Sequence, residues 1–183
     1  MDLKTQRDYD LIQQCLEGHE LAYKSIFDCY AGKMMALCSR YARDTQEGED
    51  WVQEGFIKAF KSLDSFKFSG SFEGWLRKIM VNNCLRNLQK QSRRVNFLEL
   101  SEFIEPGIDP NIINELEVEQ IIKVIEMLPD GYRIVFNLSV IEGYSHKEIA
   151  EKLNITESTS RSQLVKAKRA LKSKLVKHLR IAV

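Results

Sequence analysis

The sequence predicts an all-α fold: two small helical domains joined by an acidic linker. Three observations carry that expectation. Apolar residues recur at spacings of three and four through most of the chain, and no strand-like alternation of useful length interrupts them. Proline (3) and glycine (9) are scarce among the 183 residues, which disfavours a turn-rich β-sandwich. Charge is also sorted along the chain. Met1 to Arg94 carries 15 basic and 13 acidic residues, Val95 to Asp130 one basic and nine acidic, and Gly131 to Val183 11 basic and four acidic. The formal net charge of +1 therefore hides two basic segments around an acidic one.

The helices follow in order. Asp10 to Leu16 is a short amphipathic segment stopped by Gly18, a residue suited to a left-handed C-cap. His19 to Arg43 reads as a long helix with Leu21, Ile26, Phe27, Tyr30, Met34, Leu37, Cys38 and Tyr41 on its apolar face. Thr45 can cap a third helix, whose stripe is Val52, Phe56, Ala59, Phe60 and Leu63. Asp64 to Gly70 is a loop, and Ser71 can cap a fourth helix through Phe72, Leu76, Ile79, Met80 and Leu88. Ser101 to Asn111 holds two of the three prolines and stays irregular, so the domains are expected at 1–95 and 112–183, with an acidic linker over 96–111.

In the second half, Ile112 to Leu128 is helical, Pro129-Asp130-Gly131 is a stop, and Tyr132 to Ile141 is helical again. After Gly143, Ser145-His146-Lys147-Glu148 fits a capping box and starts another helix through Ile149, Ala150 and Leu153. Asn154-Ile155-Thr156 is a turn. From Glu157 the chain is helical once more, with Leu164, Ala167, Leu171 and Leu175 inward. Helix, three-residue turn and helix, with small Ala150 and apolar Ile155 at the elbow, match the steric needs of a helix-turn-helix. If Leu164 and Ala167 face the core, then Arg161, Ser162, Val165, Lys166 and Arg169 face outward, offering forks and ammonium groups to base edges and phosphates.

Two acid-free basic runs close two helical segments: Trp75 to Arg94, which includes Arg86, and Ser158 to Val183. Trp75 sits with Phe66, Phe68 and Phe72 around a Gly-Ser loop just before the first run. Taken alone, these aromatics read first as core. Beside cations they also suit unstacked bases, which stack on π faces while Lys and Arg meet the phosphates. Asp50-Trp51-Val52-Gln53-Glu54-Gly55-Phe56 is expected to form a polar face opposite the apolar stripe of the third helix, either a contact surface or an ordinary solvated face.

Two stretches resemble a known family. Asp50-Trp51-Val52-Gln53-Glu54-Gly55-Phe56, with Ser71-Phe72-Glu73-Gly74-Trp75-Leu76-Arg77-Lys78-Ile79 and Asn82, is similar to the region-2 domain of bacterial sigma factors. Leu128-Pro129-Asp130-Gly131-Tyr132-Arg133, with Glu142 to Ala150, is similar to their region-4 domain. Two such domains and a short linker resemble the extracytoplasmic-function (ECF) group. The resemblance implies a sigma factor that binds core RNA polymerase and directs promoter-specific initiation. It places Asp50, Gln53, Glu54 and Phe56 against the β′ clamp helices. It assigns Phe66, Lys67, Phe68, Ser69, Gly70 and Ser71, with Trp75, Asn82 and Arg86, to the melted −10 strand, and Arg161, Ser162, Val165, Lys166 and Arg169 to the −35 element. It further implies the β flap and an anti-sigma factor as partners, with the linker threading toward the RNA-exit region. The recognition helix reads Glu-Ser-Thr-Ser-Arg-Ser-Gln where Gly-Thr-Val-Lys-Ser-Arg is the more frequent form. A helix-turn-helix regulator acting on duplex DNA without polymerase is the alternative.

Residue supply argues against an enzyme. His19, His146 and His178 lie far apart, and Cys15, Cys29, Cys38 and Cys84 form no C-x-x-C pair, so neither a metal nor a cofactor is expected. Each cysteine is expected as a buried free thiol. No apolar run approaches the roughly 20 residues of a membrane helix, and the polar N-terminus lacks a signal peptide, so the expected location is cytoplasmic, without membrane insertion.

Overall fold

Gly18 sets where the first helix ends. The structure, a computed structural model, describes residues 3–92 and 124–181. Helix α1 spans Leu3–Leu16 and closes in a Schellman motif, with the His19 N–H donating to the Gln14 carbonyl and the Gly18 N–H to that of Cys15, both at 3.0 Å, and Gly18 at φ +89°. The helix begins at Leu3, ahead of the expected Asp10. Its polar opening turns have no apolar period. Tertiary bonds hold them instead: the Tyr30 hydroxyl donates to the Asp8 carboxylate at 2.6–2.7 Å, and Arg7 donates to Cys29 Sγ at 2.6 Å.

Helix α2, Glu20–Ser39, buries Ala22, Ile26, Tyr30, Met34, Leu37 and Cys38. Leu21 and Phe27, expected on that face, are 79% and 36% exposed, and Tyr41 is buried just past the helix, which stops short of Arg43. Helix α3, Thr45–Lys61, is capped by Asp44 and not by Thr45: the Asp44 carboxylate accepts the Glu47 N–H at 2.8 Å, and the Glu47 carboxylate accepts the Arg43 N–H at 2.7 Å. A 3₁₀ turn, Leu63–Ser65, leads into the loop, and the Ser71 hydroxyl accepts the Gly74 N–H at 3.1 Å to start helix α4, Phe72–Ser92. α3 and α4 approach closely because Gly55 has no side chain; a Cβ there would lie 2.2 Å from Met80 Sδ. Met34, Leu37, Cys38, Leu76, Met80 and Cys84 make up the fully buried centre.

The chain divides into two compact units, Met1–Gln91 and Ser92–Val183. The linker expected over 96–111, the boundary at 95, and the expected helix from Ile112 as far as 123 lie outside the described residues. In the second unit, residues 124–126 are helical, and helix α5 is Asp130–Phe136, continued by a wider π turn, Asn137–Ile141. Residues 127–129 interrupt the helix as the stop at Pro129-Asp130-Gly131 predicts, but the next helix starts at Asp130 and not at Tyr132. Pro129 occupies the N-cap position, Asp130 opens α5, and the Asp130 carboxylate holds the buried Arg133 guanidinium at 3.0 Å. Helix α6, His146–Leu153, carries the complete capping box expected at Ser145 and Glu148. Helix α7, Glu157–Ile181, packs Ala167, Ala170 and Leu171 against Val124, Ile125, Leu128 and Tyr132, with Leu175 partly buried beside them. No strand occurs among the described residues.

Candidate nucleic-acid interface

The elbow between α6 and α7 is built from backbone geometry. Asn154 takes the left-handed conformation (φ +54°, ψ +49°), a short polar residue that tolerates it, and the Ile155 N–H returns to the Ala150 carbonyl at 3.1 Å. The Thr156 hydroxyl then accepts the Thr159 N–H at 3.0 Å and starts α7. A second link joins the two helices: His146 Nδ1 and the fully buried Ser160 hydroxyl are 2.9 Å apart. The inward stripe of α7 is thus partly polar, with Ser160 and Gln163 buried and Leu164 only half-buried.

That rotation turns the other side of α7 to solvent. Arg161, Ser162, Val165, Lys166 and Arg169 are all exposed, Val165 to 50%. Lys168 and Lys172 are exposed as well and, at 100° per residue, share the sector of Arg161 and Val165. The acid-free run was the signal that could have found them. Arg161 is paired within its own helix, 2.9 Å from Glu157.

In the first unit the aromatics around the loop form one connected group. Ring centroids lie 4.8 Å apart for Phe66–Phe68, and 5.5 Å for Phe66–Phe72, Phe66–Trp75 and Phe72–Trp75. The group is graded from core to surface: Phe72 is 2% exposed, Phe66 9%, Trp75 half-buried and Phe68 38%. Core and candidate platform are therefore two ends of one cluster. Lys67, Ser69, Gly70 and Ser71 are exposed around it. Trp75, Asn82 and Arg86, spaced by seven and four, lie along one side of α4, Asn82 and Arg86 exposed.

The face of α3 is more uneven than expected. Asp50 and Gln53 are exposed, and Glu54 is half-buried. Phe56 is 2% exposed, packed 4.8 Å from Phe27 and 5.7 Å from Phe60 by ring centroids, so it backs this face from beneath and offers no surface. Its place on the apolar stripe already carried that outcome. Glu54 belongs to a network that ties α3 to α4: its carboxylate accepts from Lys58 at 2.8 Å and Asn87 at 2.6 Å, Lys58 also donates to Asn83, and the buried Asn83 amide donates to the Trp51 carbonyl at 2.8 Å. Burial opposes ionisation of Glu54, but the bonds from Lys58 and Asn87 outweigh it and hold the carboxyl down at about 2.

Cys15, Cys38 and Cys84 are buried free thiols, whereas Cys29 is only half-buried. Cys84 Sγ donates to Cys38 Sγ at 3.6 Å, and that bond together with burial pushes its thiol well above the usual range. Among the described residues no group of three or more His, Cys, Asp or Glu could hold a metal, and no helix is long and apolar enough to cross a membrane.

A helix-turn-helix with a basic outer face, following a helical unit with a half-exposed aromatic loop, defines a nucleic-acid-binding protein of two modules. Comparison with known proteins makes this specific. Residues 26–94 match the family model for Sigma-70 region 2, and residues 118–171 that for Sigma-70, region 4. The ECF RNA polymerase sigma-E factor of Escherichia coli K12 is 32% identical over 180 residues, covering 92% of this chain and 94% of the relative. The ECF RNA polymerase sigma factor SigW of Bacillus subtilis is 31% identical over 176 residues, covering 90% and 94%. Among solved structures, CnrH in complex with the cytosolic domain of CnrY (22% identity, TM-score 0.51, covering 93% of this chain and 98% of that one) and Bartonella quintana RpoE with the anti-sigma factor NepR (22%, 0.52, covering 85% and 96%) share the fold. The chain belongs to the ECF RNA polymerase sigma factors. It is a promoter-directing initiation factor, in a family whose members are not enzymes, and the region-2 match sets aside a regulator working without polymerase.

Proposed function

We propose that the two units divide promoter recognition between them. The outer face of α3, with Asp50, Gln53 and Glu54, docks on the β′ clamp helices of core RNA polymerase, and Phe56 supports that face from within. The loop Phe66 to Ser71 takes an unpaired base from the −10 strand, while Trp75, Asn82 and Arg86 guide the strand along α4. Unstacking a base costs a few kcal/mol, which stacking and edge contacts must offset. α7 enters the major groove of the −35 element through Arg161, Ser162, Val165, Lys166 and Arg169, and Lys168 and Lys172 meet flanking phosphates. Other helices of the second domain meet the β flap. The domains are bounded at 1–95 and 112–183, with the acidic 96–111 segment between them. The protein acts in the cytoplasm and is restrained by an anti-sigma factor.

The observation that carries this reading is the pairing in one chain of an exposed aromatic loop beside a basic helix with a helix-turn-helix whose outer face bears five cations: Arg161, Lys166, Lys168, Arg169 and Lys172. Transcription in vitro with core enzyme on a genomic fragment library tests it. Promoter-specific transcripts that depend on the added protein, and that fall with Gln53→Ala or with loop substitutions, are expected. Absence of any stimulated specific initiation overturns the reading.

A further inference from the structure

The aromatic group at the loop does not end at Phe68. The Tyr9 ring, on α1, lies 4.9 Å from the Phe68 ring by centroids, at an interplanar angle of 52°. Both rings are more than a third exposed, Tyr9 to 39% and Phe68 to 38%. Tyr9 lies outside residues 26–94, the stretch matched by the region-2 family model.

Phe68 is held at φ +54°, a backbone conformation that a bulky residue rarely adopts. Strain of this kind persists where surrounding packing over-determines it, and it gathers at binding sites. Here the packing comes from Phe66 and Tyr9, whose ring centroids lie 4.8 and 4.9 Å from that of Phe68. The strained backbone thereby keeps an apolar ring at the surface, among Lys67, Ser69 and Gly70, where burying it inward would be the cheaper arrangement. The carboxylates flanking Tyr9 are engaged elsewhere, Asp8 by the Tyr30 hydroxyl and Asp10 by the Gln6 amide at 2.9 Å. Lys67, next to Phe68, leaves a cation for a phosphate. Two adjacent rings, each more than a third exposed, with an ammonium group beside them are what single-stranded nucleic acid uses for stacking.

We propose that Tyr9 and Phe68 together form a two-ring platform on which an unpaired base of the promoter strand stacks, extending the −10 site onto α1. This rests on the assignment of the Phe66 to Ser71 loop to the melted −10 strand. The platform is sequence-tolerant, since every base has a π face, and it lengthens the tract of single strand that the first unit holds.

The test uses holoenzyme assembled from core polymerase and the full chain, on forked promoter DNA with a single-stranded −10 segment carrying 5-bromouracil at successive positions. Expected results are a photo-crosslink at Tyr9, retained affinity for Tyr9→Phe and Tyr9→Trp, and about a tenfold loss for Tyr9→Leu, which keeps apolar packing on Phe68 but has no face to stack on. Binding to fully duplex −35 DNA is unchanged in all three variants. Wild-type affinity of Tyr9→Leu on forked DNA, or crosslinks confined to the loop and Trp75, overturns the platform while leaving the loop assignment standing. Wild-type holoenzyme with no crosslink to the loop and no preference for forked over duplex DNA overturns both.

Discussion

Replacing Gly55 by alanine tests the closest approach in the first unit. The new methyl would sit 2.2 Å from Met80 Sδ and 2.9 Å from its Cε, whereas ordinary contact begins near 3.4 Å, so the thioether must move by at least about 1.2 Å. Met80 is 0% exposed, which leaves it no route to solvent. Overpacking a closed core costs about 1–3 kcal/mol. Alanine in a helix interior recovers about 1 kcal/mol over glycine. An approach as close as 2.2 Å belongs at the upper end of that range, so the expected net loss is about 2 kcal/mol, which for a domain of this size lowers the melting temperature by roughly 8–16 °C. Thermal and urea unfolding of the full chain would read it. Gly55→Ala combined with Met80→Ala should cost less than the sum of the two singles by about the overpacking amount. Additive losses, or a Gly55→Ala protein as stable as the parent, would refute the close approach. Because α3 carries Asp50 and Gln53, the face proposed to dock on core polymerase, on its other side, any shift that relieves the clash should on that proposal also weaken the assembly.

Three further outcomes follow from the geometry. The depressed Glu54 carboxyl stabilises the fold above its ordinary value of 4.5, and that contribution is lost as pH falls from 4.5 toward about 2. With Glu54 partly in solvent, the contribution is about 1 kcal/mol, and Glu54→Gln should remove that part of the acid sensitivity in pH-dependent unfolding. Arg161→Ala should weaken promoter binding by about 1–3 kcal/mol if the contact is a bidentate base contact, with the loss confined to cognate −35 sequences in binding assays; an equal loss on scrambled sequences assigns Arg161 to phosphate. Ser145→Ala removes one side of the capping box at α6 and should cost about 1 kcal/mol of stability, which Ser145→Thr should largely keep.

Local chemistry was legible where one residue decides an outcome. Gly18, Ser71, the Ser145 and Glu148 box, and the Asn154 to Thr156 elbow all fall as their residue types dictate. Distant partners were not legible. The first turns of α1 depend on Tyr30 and Cys29, which no periodicity of residues 3–9 can reveal. Asp44 and Thr45 are both competent caps, and the reach of Glu47 to the Arg43 N–H accompanies the choice of Asp44. In α7 the apolar pattern pointed inward from Leu164, but Ser160 and Gln163 are buried on that side, Ser160 against His146. The outer face was still read correctly as exposed, because Ala167 marked the centre of the buried side. Exposed apolar residues such as Leu21 and Phe27 show the converse: a helical stripe wider than the core it meets leaves members outside.

The ion pair between Glu157 and Arg161 gives one of the outer-face cations of α7 a counterion of its own. Its partners are 45% and 62% exposed, so the pair is weak and readily opened. In solution Lys166, Lys168 and Lys172 on the same face draw mobile salt, which is released to the bulk when phosphates replace it and contributes entropy to binding. Arg161 releases no such ion, because its carboxylate is covalently part of the helix. Its transfer to DNA therefore gains little from dilution of salt and depends on the ligand offering better geometry than Glu157 does. A guanine edge meets that condition, and a passing phosphate meets it poorly once the displaced carboxylate is left nearby. If α7 reads the −35 element as proposed, salt concentration would govern how often the helix rests on DNA at all, and Arg161 would govern where it stays.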